Sequence, residues 1–304
     1  MVQLRFMIRS KGYRMSNELS TNFAGTDLAE AMGFSSTETG MSGPSIPRLS
    51  QQQSPIMVEE VDADGETVEK VVVPLGAFKL KDSNGTEVYS RTATIRLFAQ
   101  RQQWTQWDSE AGTMNKTVMA SALKGDLKDT RGTFNLGRPS KYIKDWNSVD
   151  EDTKALMRSI KNTKVLFGKV MLGKAVDAQG NEVKGYDVET DFVMDIKNND
   201  SKKSLEAAMK SISSKKLLPI EHTIKVTSKK ESMPTGNQYA TIVASLGNKF
   251  DMKEGDQETL SSFVDYVDYA NDYVLSEWKK LNKPDVAIDS KILDAIVQVE
   301  DIPF

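Results

Sequence analysis

Apolar and polar positions alternate along "PIMVEEV" and "TVEKVVVPLGAFKL", residues 55–61 and 67–80, with Asp64-Gly65 between them. A period of two around a Gly turn predicts strand, turn, strand. "KDSNGTE" places a second turn at Asn84-Gly85. The run 88–108, "VYSRTATIRLFAQRQQWTQWD", then predicts one long strand or a bent pair. A polar link, "SEAGTMNK", leads into "TVMASAL" as the next strand. Consecutive strands joined by short turns form a meander, and closure into a small barrel removes its exposed edges.

Beyond residue 147 the period changes. "SVDEDTKALMRSIKN" predicts a helix, with Ser148 and Glu151 as a capping box and Leu156, Met157 and Ile160 on its apolar face. Strands return at "KVLFGKVMLGKAVD" and "YDVETDFVMDIK". "SLEAAMKSIS" is a helix, and "LPIEHTIKVTSKKE" and "QYATIVASLG" complete the β part. Residues 256–281 form an amphipathic helix with Leu260, Phe263, Val264, Val267, Val274 and Trp278 at helical spacing, a stripe read as core packing. The expected class is mainly β with helical insertions (α+β). The expected organisation is a flexible segment 1–55, a core 56–250, a packed helix 251–284 and an acidic tail 285–304. Within the first segment "TDLAEAMGF" is a short helix, and the Ser-, Gly- and Pro-rich stretch 35–55 is a linker.

The composition removes much catalytic chemistry. The chain has no cysteine and one histidine, His222, in an alternating strand where it reads as a polar face residue. Disulfides, cysteine-based zinc sites and cysteine nucleophiles are excluded. Asp126 and Asp129 sit in a lysine-rich loop without a histidine or third carboxylate, so no metal site is expected. Neither an enzyme activity nor a cofactor is expected. No apolar run spans a bilayer and no secretory signal stands at the start, so a cytoplasmic protein without a membrane partner is expected.

The net charge of −3 conceals an asymmetry. Residues 70–174 carry 19 basic and 10 acidic side chains, and residues 251–304 carry 5 and 13. A basic body followed by an acidic end suits a polyanion-binding core. In 89–108, Arg91, Arg96 and Arg101 interleave with Tyr89, Phe98, Trp104 and Trp107. Strict alternation places Tyr89, Arg91 and Arg101 on one face, and Arg96 and Phe98 on the other. Residues 123–146 form a Gly- and Pro-punctuated loop with Lys124, Lys128, Arg131, Arg138, Lys141 and Lys144 among Phe134, Tyr142 and Trp146. Cations that meet phosphates and rings that stack bases are what a nucleic-acid single strand requires. A salt-bridged strand and a solvated loop are the alternative readings of these stretches.

The last residues, Glu300-Asp301-Ile302-Pro303-Phe304, resemble the C-terminal tip of bacterial single-stranded-DNA-binding proteins, an acidic run followed by Ile-Pro-Phe. That resemblance implies a hook that docks on replication and recombination enzymes such as a polymerase, helicase or primase. The Phe304 ring would enter an apolar pocket and its carboxylate would meet a basic rim. Only Glu300 and Asp301 stand beside the tip; the remaining acidity is spread over 251–304. The layout also resembles phage-type single-stranded-DNA-binding proteins, which implies a modified OB-fold (a small Greek-key barrel), sequence-nonspecific coating of single-stranded DNA and self-association on it. A structural or adaptor protein of a virion is the competing expectation.

Overall fold

The computed structural model describes residues 45–61, 65–109, 111–124, 127–132 and 145–281. The expected helix at 26–34, the loop residues Phe134, Arg138, Lys141 and Tyr142, and the tail Glu300 to Phe304 lie outside them.

The alternating stretches become strands β1 (Arg48–Gln51), β2 (Ile56–Val61), β3 (Thr67–Val73), β4 (Phe78–Lys81), β5 (Glu87–Ser90), β6 (Ala93–Asp108) and β7 (Thr113–Lys116). They are followed by β8 (Lys161–Leu172), β9 (Thr190–Ile196), β10 (His222–Ser232) and β11 (Gln238–Lys249). Three helices complete the described elements: α1 (Glu151–Ser159), α2 (Asn199–Ser214) and α3 (Asp256–Leu281). The Asn84-Gly85 turn joins β4 to β5, with Gly85 at φ +86° and the Asp82 carboxylate accepting from the Asn84 and Thr86 amides. A left-handed φ of that kind favours glycine.

Nine strands form one mixed sheet in the order β11-β10-β6-β8-β9-β1-β4-β5, with β7 added beside β6. β2 and β3 form a separate antiparallel hairpin. Strands from both ends of the sheet share one core. Leu49, Phe78, Leu80 and Val88 of β1, β4 and β5 pack with Ile224, Val226 and Ile242 of β10 and β11. The sheet is therefore curled, and α2 covers this core with Leu205, Ala208 and Ile212.

The expected barrel is not closed. Among the described residues β11 pairs only with β10, and β5 lies at the other end of the order. The reason lies on the outer edge of β11. The amide of Ala240 donates to Gln53 Oε1 at 3.0 Å, that of Ile242 to Ser201 Oγ at 2.9 Å and that of Ala244 to Ser204 Oγ at 2.8 Å. Side chains from α2 and the β1–β2 link thus satisfy the donors that a closing strand would use, which also blunts the edge.

Other expectations change locally. Residues 48–51, inside the stretch read as a linker, form β1 and pair with β4 and β9. "TMNK", read as a link, is β7, which folds back on β6, whereas no strand forms at 117–123. Ser148 ends a 3-10 turn; the cap of α1 is Asp150, whose carboxylate accepts the Thr153 amide at 2.7 Å. His222 is buried, with Nδ1 2.9 Å from the Thr223 carbonyl.

α3 lies on the opposite face from α2. Phe263 and Val267 pack on Val165, Phe167 and Val193, while Leu260 and Val264 remain outside the buried stripe. Asn271 clamps the Met119 backbone, accepting its amide at 2.6 Å and donating to its carbonyl at 3.0 Å. Asp256 anchors the start of the helix on Arg96.

A register shift in β6 between Leu97 and Ala99, opposite β8, decides which side chains reach the α3 face. An extra residue in one strand reverses the alternation beyond it. Arg96 and Phe98 before the shift, and Ala99, Arg101, Gln103, Thr105 and Trp107 after it, share that face. Gly168 of β8 sits against the shift, where a Cβ would overlap the Arg96 carbonyl oxygen. Gly168→Ala should therefore destabilise the fold by about 1–3 kcal/mol, because backbone cannot yield as a side chain does. Urea unfolding should show a lower midpoint at an unchanged slope.

Candidate nucleic-acid interface

β6 beyond its shift, β7, β9 and β1 bring together cations that are far apart in the chain. Thr105 pairs with Lys116 and Trp107 with Met114, so these side chains share one face. Val165 pairs with Asp195 and adds β9 to the same face. Arg48, Lys116, Lys197, Gln103, Thr105 and Tyr266 line a pocket of about 280 Å³, with Met114, Met119, Val165, Val193 and Asp195 completing its wall. β1 and β4 extend the face. Arg48 pairs with Lys81 and Ser50 with Lys79, while Leu49 and Leu80 point into the core.

On the strands of this face cations outnumber carboxylates. Arg48, Lys79, Lys81, Lys116 and Lys197 face Asp195 and Glu87. Arg48 binds Asp195 at 2.9 Å, and Lys79 and Lys81 share Glu87 at 3.3 and 3.4 Å. Lys116 has no carboxylate within ion-pair distance among the described residues; its ammonium lies 5.9 Å from the Tyr273 ring. Burial pushes its pKa down, and the more distant Asp195 opposes that shift. A half-desolvated ammonium without a counter-ion, at the wall of a polar pocket, is arranged to receive an anion. Trp107 is 58 % exposed at the β6–β7 end, and Tyr273 of α3 is 52 % exposed. Both offer ring faces beside the cations.

The residues expected from sequence divide sharply. Arg96 is 1 % exposed. It donates to both carboxylate oxygens of Asp256, at 2.6 and 2.8 Å, and to both of Glu189, at 2.7 and 3.1 Å. The Phe98 and Phe250 rings lie 4.8 and 4.4 Å from its guanidinium. It anchors α3 and is shut off from any phosphate. Phe98 meets Phe263 edge-on at 5.7 Å and belongs to the α3 packing. Tyr89 is 4 % exposed and donates to Glu87 Oε2 at 2.7 Å; burial, then Glu87, pushes its phenol up to about 12. It has no free face for a base.

Arg91 is exposed at the opposite end of β6 from the pocket. Arg101 shares the pocket face through its pairing with Val165. Trp104 is half-buried and alternates onto the other face, its amide bound to Thr117 Oγ1 at 3.0 Å. Lys124 is exposed. Lys128 lies 4.5 Å over the Trp278 ring, and Arg131 pairs with Asp108 at 3.1 Å. Trp146 is 38 % exposed, with Arg158 5.9 Å from its ring. Asp129 is buried and accepts the Arg131 amide at 2.8 Å. Among the described residues no group of three potential metal ligands forms, and no helix is long and apolar enough to cross a membrane.

Of the expected set, Trp107 and Arg101 join the pocket face. Arg48, Gln103, Thr105, Lys116, Lys197 and Tyr266 were not singled out from sequence. Gln103 and Thr105 lie inside the 89–108 stretch but are neither cationic nor aromatic, whereas Arg48, Lys116, Lys197 and Tyr266 come from separate segments that strand pairing and the packing of α3 bring together. No protein-family model, no curated protein and no solved structure matches the chain.

Proposed function

We propose that the chain is a sequence-nonspecific single-stranded-DNA-binding protein whose strand crosses the pocket face. The observation that carries this reading is the convergence of Lys116, Lys197 and Arg48 on one polar pocket beside the exposed Trp107 ring. Cations spaced along a sheet face can track a backbone of phosphates, and nearby rings accept bases without reading sequence. The curled sheet with its shared core is read as an OB-like barrel left open at β11. The terminal Asp301-Ile302-Pro303-Phe304 supports a role in bringing replication and recombination enzymes to coated DNA. The protein itself acts by binding, with no catalytic step.

Tryptophan fluorescence titrated with a long single-stranded DNA at several salt concentrations tests the reading. Quenching should be strong at low salt, weaken with a log–log slope of about −0.7 per phosphate neutralised, and be much weaker with duplex. Trp107→Ala should weaken binding by about 1–3 kcal/mol, the range for one stacked base, and remove much of the quenching. Absence of quenching at low salt would overturn the reading in favour of a structural or adaptor protein.

A further inference from the structure

The β2–β3 hairpin stands outside the sheet and is acidic. Residues 56–73 contain Glu59, Glu60, Asp62, Asp64, Glu66 and Glu69 against one cation, Lys70. Among its described residues the burial is at the base, where Ile56, Val72 and Val73 pack around Tyr89. Farther out, Glu59 pairs directly across the strands with Glu69, beside the pair Met57 and Val71. Like charges directly opposite each other on a ladder are destabilising. Neither carboxylate has an ion pair among the described residues; Lys70 serves Glu60. Met57 and Val71 are 40 % and 49 % exposed. This face combines apolar surface, uncompensated negative charge and strand edges that no described strand covers.

The complementary surface lies on the β10–β11 hairpin. On β10, Lys225, Thr227 and Lys229 point away from the core, and Val243 of β11 pairs with Thr227 between the lysines. Val243 is 40 % exposed. Lys225 has no ion pair among the described residues, and Lys229 bonds only its neighbour Glu231, at 2.7 Å. The two hairpins are adjacent. Gln53, just before β2, bonds the amide of Ala240, and Gly76, just after β3, lies against Ser228 and Ala240. No ion pair joins the hairpins within the chain among the described residues.

An acidic apolar patch and a basic apolar patch on the same chain can each meet its complement on a second copy, and a two-fold axis makes both contacts at once. We infer that two copies of this chain associate isologously, the Glu59/Glu69 face of each β2–β3 hairpin docking on the Lys225/Lys229 face of the other's β10–β11 hairpin. Met57 and Val71 then cover Val243, and each like-charge pair receives a cation. Exposed apolar residues ringed by charge are the usual composition of an interaction surface. None of these residues lines the Lys116 pocket, and the inference does not depend on the DNA-binding reading.

Sedimentation equilibrium of the full chain at low salt, without DNA, is the test. A monomer–dimer equilibrium is expected that shifts toward monomer in high salt and forms no larger species. E59K/E69K and K225E/K229E should each weaken dimerisation at least tenfold, with circular dichroism unchanged because all four side chains are on the surface. An equimolar mixture of the two variants should restore the dimer, since both contacts then pair opposite charges. A wild-type chain that stays monomeric, a dimer indifferent to E59K/E69K, a mixture that does not recover, or open-ended growth each overturns the inference.

Discussion

Arg96→Met should destabilise the fold by at least about 3–5 kcal/mol. The Arg96 side chain is fully buried, and its guanidinium meets the carboxylates of Asp256 and Glu189, themselves 1 % and 10 % exposed in their side chains. Removing one member of a buried charge group strands the others, a loss of about 3–5 kcal/mol. Two carboxylates are stranded here, against a typical total stability of about 5–15 kcal/mol. Phe98 and Phe250 also lose the cation stacked between them. Arg96→Lys should fare little better, because one ammonium cannot replace a planar fork that serves four oxygens. Urea unfolding of both variants checks this. If either variant folds with wild-type stability and loses only DNA affinity, Arg96 is a DNA contact after all.

The same cluster sets an acid limit. Hydrogen bonds from Arg96 hold the Asp256 carboxyl below its ordinary value despite the opposing effect of burial. Burial pushes Glu189 up, but hydrogen bonds from Arg96 and Lys253 outweigh it and the net shift is down. Both carboxyls are thus more acidic folded than unfolded. Their contribution is complete above the ordinary carboxylate range, near pH 4, and is lost as pH falls through the folded values. The melting temperature should fall below about pH 4.

Local pattern made the strands and α3 legible, because each depends on a period that a short window contains. The 256–281 helix agrees with its expected bounds, since Phe263, Val267 and Val274 repeat at helical spacing and are buried. Arg96 shows where such reading stops. In a window of neighbours it is one more cation among aromatics; its partners Glu189 and Asp256 lie 93 and 160 residues away. The shift between Leu97 and Ala99 is equally silent, yet it moves Arg101, Gln103 and Thr105 onto the face of Arg96 and Phe98. Strict alternation had separated them. Clustered charge does not mark the pocket face, because a curled sheet assembles that surface from single residues. Lys116, in a stretch read as a polar link, is the clearest case.

Lys116→Met should separate binding from stability. Half-buried and without a close counter-ion, the Lys116 ammonium holds its charge at the expense of the fold, as its lowered pKa indicates. The unfolded chain therefore binds more protons than the folded one between the depressed value and the ordinary lysine value near 10.4, and fold stability should rise with pH through that window. DNA affinity should run the other way, since a neutral amine attracts no phosphate. Methionine keeps the apolar stem and removes the charge, so the melting temperature should hold or rise. Loss of one charge-assisted phosphate contact should weaken single-stranded DNA binding by about tenfold at low salt. The salt slope should become shallower by about 0.7, and by about twice that in Lys116→Met/Lys197→Met. Trp107→Ala should instead reduce affinity with the slope unchanged, because stacking releases no counter-ion. Lys210→Met, on α2 across the core, is the control and should change neither. A Lys116→Met protein with full affinity and slope would remove the pocket from the strand's path, whatever the fluorescence titration shows.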